Sequence, residues 1–226
     1  FNYNYLFFYH NYIQENFFVL NKNIIIFLFL MIYYNNNNYY NSNKNNANNI
    51  NNIDDYNINR FPKGLKKYLN NKYNLLFVIA ILVFVFINAP IITRPPVDEH
   101  SWRQTDTAAV IRNFQEESPN IFQPRVDMRQ NHSGITGMEF PAYNYIVYLL
   151  NIIFGFQHWM GRVVTMLFSI IGLFLFFEFL KMRFNQREAL LSSLLLMIFP
   201  IYIIFSKNIQ PDIMMISLFI GSLYFA

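Results

Sequence analysis

Apolar residues along this chain gather into long continuous runs, and the polar positions fall between the runs rather than within them. The clearest run is "NLLFVIAILVFVFINAPII", residues 74–92. Coiled as a helix it reaches roughly 28 Å, close to the about 30 Å of a bilayer's hydrocarbon core. Residues 163–180, 189–205 and 212–226 predict further spans, the last of them ending at Ala226. This patterning predicts an all-α, polytopic membrane protein, not a soluble domain with amphipathic faces.

The run "PAYNYIVYLLNIIFGF", 141–156, is different. Its apolar body is shorter than the roughly 17 residues a span needs, and Tyr143, Asn144, Tyr145, Tyr148 and Asn151 interrupt it. Charge decides how to read it. "RFPKGLKKYLNNKYN" carries Arg60, Lys63, Lys66, Lys67 and Lys72 without an acid, which predicts a cytoplasmic side ahead of residue 74. If 141–156 also crossed, Lys181, Arg183 and Arg187 would lie on the opposite side, against the positive-inside rule. If it lies in the interface, they return to the cytoplasm. The expectation is therefore a juxtamembrane helix within one large external loop, 93–162.

Composition agrees with that class. Only 13% of the 226 residues are charged and 54% are hydrophobic, against about 25% charged in an average soluble protein. The net charge of +4 belongs to loops flanking apolar runs, so no nucleic-acid partner is expected. Cysteine is absent, which excludes disulfides and thiolate metal sites. His100, His132 and His158 have no metal-ligand spacing, so no metal site is assigned and divalent-metal dependence stays open.

Residues 1–72 stand apart. "YYNNNNYYNSNKNNANNINNIDDYN" is Asn-rich and aperiodic, and it reads as a disordered extension. Upstream, "NIIIFLFLMIYY" reads either as a weak membrane anchor or as an A/T-biased extension ahead of the true start, the first Met being Met31. It lacks the small-residue cleavage site of a secretory signal. Residues 73–226 form the expected transmembrane part.

Polar clusters next to the spans carry the candidate chemistry. Pro95 and Pro96 stiffen the exit from 74–92 and lead into Asp98, Glu99 and His100. Adjacent residues on an extended segment point to opposite sides, so one carboxylate, Asp98, is the candidate to face a pocket as a base. The alternative is a pair of solvated loop acids. In "SWRQTDTAAVIRNFQEE", Ser101 and Gln104 fit a capping box, and Ala108, Ile111 and Phe114 give an apolar stripe. Arg103 in its first turn is either a phosphate ligand, through its planar fork of donors, or the partner of Asp106. Trp102 fits an interfacial anchor. Glu139, between Gly137 and Pro141, is either a second active-site carboxylate or an acid satisfied by a helix N-terminus. In "FSKNIQPDIMM", Lys207 is an anion ligand or a snorkelling lysine, and Pro211 and Asp212 open the next helix, with its positive end outward. Crossing out at 74–92, in at 163–180 and out at 189–205 brings 206–212 to the same side as Asp98.

At these residues the chain resembles the GT-C integral-membrane glycosyltransferases that use polyprenyl-phosphate sugars. The similarity is to the family 39-like group, which includes protein O-mannosyltransferases and bacterial enzymes that glycosylate lipid A or lipopolysaccharide. It covers about 92–226 and rests on "DEHSWRQTDTAAVIRNF", "GMEFPAYNYI" and "SKNIQPD", in that order. The resemblance implies a large first external loop with two juxtamembrane helices and a loop-one catalytic carboxylate at Asp98, with Glu99 beside it. It also implies an acid at Glu139, donor-phosphate ligands at Arg103 and Lys207, and His100 and Asp212 in support. It further implies a lipid-linked sugar donor, transfer with inversion to a protein, lipid or glycan acceptor, and a site on the non-cytoplasmic face of a bacterial inner membrane or the endoplasmic reticulum. Members of the family carry many more helices, so the expectation is an N-terminal fragment, inactive alone. A transporter or a non-catalytic membrane scaffold is the alternative from another class. A transporter should bury ionisable groups near mid-bilayer, and these runs hold few.

Overall fold

A computed structural model describes residues 63–96, 99–129, 131–137 and 139–226. Asp98 and most of the Asn-rich extension lie outside these described residues. The chain divides into two compact units, 1–66 and 67–226. Of the first, only Lys63–Lys66 is described, as the opening turn of a short helix, α1 (Lys63–Leu69), within the stretch read from sequence as an extension.

Among the described residues of the second unit, the named elements are all helices. The elements after α1 are α2 (Lys72–Ile92), α3 (Ser101–Glu116), α4 (Ala142–Phe154), α5 (Met160–Arg183), α6 (Gln186–Ile198), α7 (Pro200–Phe205) and α8 (Asp212–Phe225). Among the described residues, α2 and α5 are long and apolar enough to cross a membrane.

The start of α2 is capped by Asn71, whose side-chain oxygen accepts from the Tyr73 amide at 3.0 Å. Its buried residues are Asn74, Phe77, Ala80, Phe84 and Asn88, three or four apart, so a single stripe packs inward. Leu82 and Phe86 on the remaining surface are exposed, as suits a helix with an apolar solvent on its outer side. Phe77 stacks on Phe177 of α5 with centroids 4.2 Å apart. At this end, Tyr68 donates to Glu178 at 2.7 Å, and Lys181 bonds both Glu178 and Asn74. The N-terminal end of α2 thus meets the C-terminal end of α5, and the two run antiparallel.

α5 packs most extensively against α8. Gly172 makes this approach close: a Cβ there would collide with the Ser217 hydroxyl and lie 3.3 Å from its Cα. Ser217 also donates to the Phe168 carbonyl at 2.7 Å. α6 is capped by Asn185, which accepts from the Glu188 amide at 3.0 Å and donates to its carboxylate at 2.6 Å. The run at 189–205 is not one continuous helix. Pro200 lacks an amide hydrogen and forces Phe199 to an extended ψ of 126°, separating α6 from α7.

Between α2 and α5 the chain is packed, not loose. α4 has 13 residues, about 20 Å of helix, too short to span alone. Tyr143, Val147 and Tyr148 on its buried face join Val110, Ile111 and Phe114 of α3 in one apolar core. Met160 and Val164 of α5, Ile209 and Met214 complete it. Leu149, Ile152 and Ile153 on the other side of α4 are exposed. The segment between α3 and α4 folds back through amide–carbonyl bonds from Val126 to Gly134 and from Thr136 to Pro124. Gly134 has φ +74°, with the Arg129 side chain where a Cβ would stand.

Candidate functional site

The site forms where the chain leaving α2 meets the turn between α7 and α8. Buried side chains hold these two segments together through backbone atoms. Arg162, in the first turn of α5 and fully buried, donates to the carbonyls of Pro95 at 3.0 Å and Lys207 at 2.8 Å. Gln104 donates to the Glu99 carbonyl at 2.8 Å while its oxygen accepts from the Ile209 amide at 3.1 Å. Asn208 adds a bond to the same Glu99 carbonyl at 3.3 Å. Thr165 donates to the Asn208 carbonyl at 2.8 Å, and Tyr143 bonds the Gly161 carbonyl at 2.8 Å. Pro95 and Glu99 are therefore both anchored to the turn that follows α7.

On the exposed side of this junction three sequence candidates converge. Arg103 lies 3.3 Å from Glu139 and 3.7 Å from Asp212. Its partners are these acids and not Asp106, because α3 turns Arg103 toward the start of α4 and the start of α8. Glu139 is likewise not a helix N-terminal acid, since α4 begins at Ala142 with Pro141 as its N-cap. All three side chains keep roughly a third to a half of their exposure, 38%, 46% and 31%. Exposed pairs of this kind contribute about 0–1 kcal/mol each. Arg103 is thus held in place without being committed, and its planar fork of donors can still meet an added anion.

The other candidates fall around this centre. Glu99 is exposed, and its carbonyl is the atom the turn grips. His100 adopts a left-handed backbone, φ 56°, and its ring sits 5.6 Å from that of Phe205. That residue, and not Ser101, is the N-cap of α3, and it makes no side-chain capping bond. The Ser101–Gln104 capping box does not form, because Gln104 is drawn into bridging the two segments. The Lys207 backbone is fixed by Arg162, and the residue is half-buried. Trp102 is largely exposed beside Arg103. Among the described residues, no group of three or more His, Asp or Glu side chains is placed to hold a metal.

Sequence reading missed Arg162, Asn208 and the bridging role of Gln104. For Arg162 a signal existed: a lone cation opening an apolar run is costly unless bonded, and usually has work at that position. Gln104 and Asn208 carried none, since an amide becomes conspicuous only when it is buried.

Residues 138–226 match the family of dolichyl-phosphate-mannose-protein mannosyltransferases. No curated protein and no solved structure matches the chain. The matched region is less than half of the sequence. It includes Glu139, Lys207 and Asp212 and stops short of Arg103 and the residues before α3. Together with the two long apolar helices, it supports a GT-C-like membrane glycosyltransferase.

Proposed function

We propose that the protein transfers mannose from a polyprenyl-phosphate donor to an acceptor hydroxyl, at the end of the bundle where Arg103, Glu139 and Asp212 meet. That convergence is the observation that carries the reading. Three residues from separate parts of the chain gather beside a junction that also anchors Pro95 and Glu99. The family match supports the sugar and the lipid-phosphate carrier.

In this reading Asp98 takes the proton from the acceptor hydroxyl as its oxygen attacks the anomeric carbon. The bond from that carbon to the phosphate oxygen breaks on the opposite face, so configuration inverts. The bonding electrons leave with the polyprenyl phosphate, whose growing negative charge is met by Arg103 and Lys207. Glu139 and Asp212 orient the guanidinium, while Glu99 and His100 lie alongside. The basic segment before α2 supports an external, non-cytoplasmic site, with α4 lying in the membrane interface. Acceptors of protein, lipid or glycan type all offer the hydroxyl this chemistry needs.

A transporter reading is weaker. The charged residues of α2 and α5 lie near the helix ends, Lys72 opening α2, Arg162 in the first turn of α5 and Glu178, Lys181 and Arg183 within its last six residues, whereas ion-coupled carriers place such groups near mid-bilayer. Membranes carrying the full-length protein should transfer labelled mannose from polyprenyl-phosphate mannose. Asp98→Asn should lower that rate by about 10²-fold or more. Full activity in the variant would remove Asp98 from the base role, and no transfer by the parent protein would end the reading.

A further inference from the structure

Between the charged cluster and the apolar core, the turn leading into α8 carries polar atoms that the chain itself leaves unmet. Gln210 is 1% exposed, yet neither its amide nitrogen nor its oxygen has a hydrogen-bond partner. Asn208, fully buried, bonds the Glu99 carbonyl through its nitrogen and leaves its oxygen unpaired. Asp212 faces Arg103 with one carboxylate oxygen, while the other is buried without a donor. Alternate residues of one short segment thus share the same condition.

Rotation of the segment cannot relieve it. Ile209, between the first two, is locked into the apolar core, and its amide is held by Gln104. The Gln210 backbone N–H donates to the Asn208 backbone carbonyl at 2.9 Å, and that carbonyl also accepts from Thr165. Pro211 fixes the following φ at −75°. Buried carboxamides are nearly always bonded, so a rigid segment with several unmet groups beside an arginine–carboxylate cluster calls for a partner from outside the chain.

The chemistry of that partner follows from the atoms left over. They comprise one amide donor group and three acceptor oxygens: Asn208 Oδ1, Gln210 Oε1 and Asp212 Oδ2. A phosphate accepts only, and would meet three oxygens that repel it. An alkyl chain would satisfy none of them. Hydroxyl groups both donate and accept, and a carboxamide presents a donor and an acceptor side by side for a pair of adjacent hydroxyls. We propose that Gln210, with Asn208 and Asp212 on either side, reads the hydroxyl pattern of the transferred sugar. This deepens the glycosyl-transfer reading and rests on it. Phosphate arriving at Arg103 competes with Asp212 for the guanidinium, and so frees that carboxylate for the sugar beside Gln210.

The test compares polyprenyl-phosphate mannose with its 2-, 3-, 4- and 6-deoxy analogues, using the full-length protein in membranes. The parent protein should disfavour at least one deoxy donor by about tenfold, the worth of one well-made hydrogen bond. Gln210→Met, similar in volume but without the amide, should erase that preference at the same position. Its thermal unfolding should be unchanged or raised, since an unmet buried polar group is removed. Should the methionine variant fail to accumulate, Gln210→Glu carries the same comparison, because it keeps the oxygen and loses the donor. Unaltered donor ratios in the variant, with or without a drop in unfolding temperature, would overturn the assignment while leaving mannose transfer intact. Absence of mannose transfer by the parent would instead overturn the reading beneath it.

Discussion

Arg162 donates to the backbone carbonyl of Lys207 at 2.8 Å from the first turn of α5, with no part of its side chain exposed. The same guanidinium holds the Pro95 carbonyl at 3.0 Å, on a segment far away in sequence. One buried cation therefore sets the spacing between the residues before Asp98 and the turn that carries Gln210. It acts through backbone atoms, so it positions the site without having to touch a substrate.

Arg162→Met should separate the two segments. Two carbonyls lose a charged donor, each bond of that kind contributing about 1.5–3 kcal/mol, so destabilisation of about 3 kcal/mol or more is expected. Arg162→Lys keeps the charge but not the fork, and should fall between parent and Met. Thermal unfolding in detergent and mannosyl transfer should decline together across the series. A methionine variant with parental stability would mean that the junction is held by Gln104 and Asn208 alone.

Arg103 should behave in the opposite way. Its pairs with Glu139 and Asp212 are half-exposed, so Arg103→Gln should change stability by no more than about 0.5 kcal/mol. The donor KM should rise, by about tenfold, if the guanidinium meets phosphate. Arg103→Lys should recover only part of the loss, because an ammonium cannot offer two parallel donors. Kinetics with varied donor concentration separate these outcomes. An unaltered KM would assign Arg103 to holding Glu139 and Asp212 in place and nothing more.

These two arginines mark what the sequence could and could not disclose. The helices α2 and α5 were legible because their apolar runs exceed what a soluble helix needs, and α4 because its run is too short and too polar to span. The junction was not. Arg103 has an acid one turn away at Asp106, yet it pairs with Glu139 and Asp212, distant residues brought to it by the packing of α3 on α4 and by the turn that opens α8. Gln104 has the spacing of a capping residue, but the chance to bridge Glu99 and Ile209 overrides that local preference. Pro200 was visible within 189–205, and the break it causes follows from its missing amide hydrogen and its constraint on Phe199.

Helix packing gives a prediction independent of chemistry. At Gly172 an added methyl meets Ser217, so Gly172→Ala should destabilise the α5–α8 pair by about 1–3 kcal/mol. Ser217→Gly removes both the hydroxyl and the Cβ that obstruct it. The double variant should recover most of the loss relative to Gly172→Ala, a coupling expected only for residues in contact. Additive effects in unfolding experiments would show that the helices part to accommodate the methyl.

The segment between α3 and α4 should be sensitive to acid. Glu117 is held below the usual glutamate range by hydrogen bonds from Arg129 and then Arg125. Asp127 is also lowered overall: its partial burial acts upward, but bonds from Asn113 and Arg112 outweigh it. Both carboxyls bind protons more weakly in the folded segment than in the unfolded one. The order they add is therefore complete above the ordinary carboxylate range and declines as pH falls through it toward their depressed values. Hydrogen exchange at Val126 and Thr136, whose amides bond across this fold, should accelerate beyond its intrinsic pH trend over that interval. Glu117→Gln cannot be titrated there, so its exchange should depend less on pH, with some protection already lost at neutrality. Equal pH dependence in parent and variant would trace the segment's order to its contacts with α3 and not to the Arg125–Glu117–Arg129 bridge.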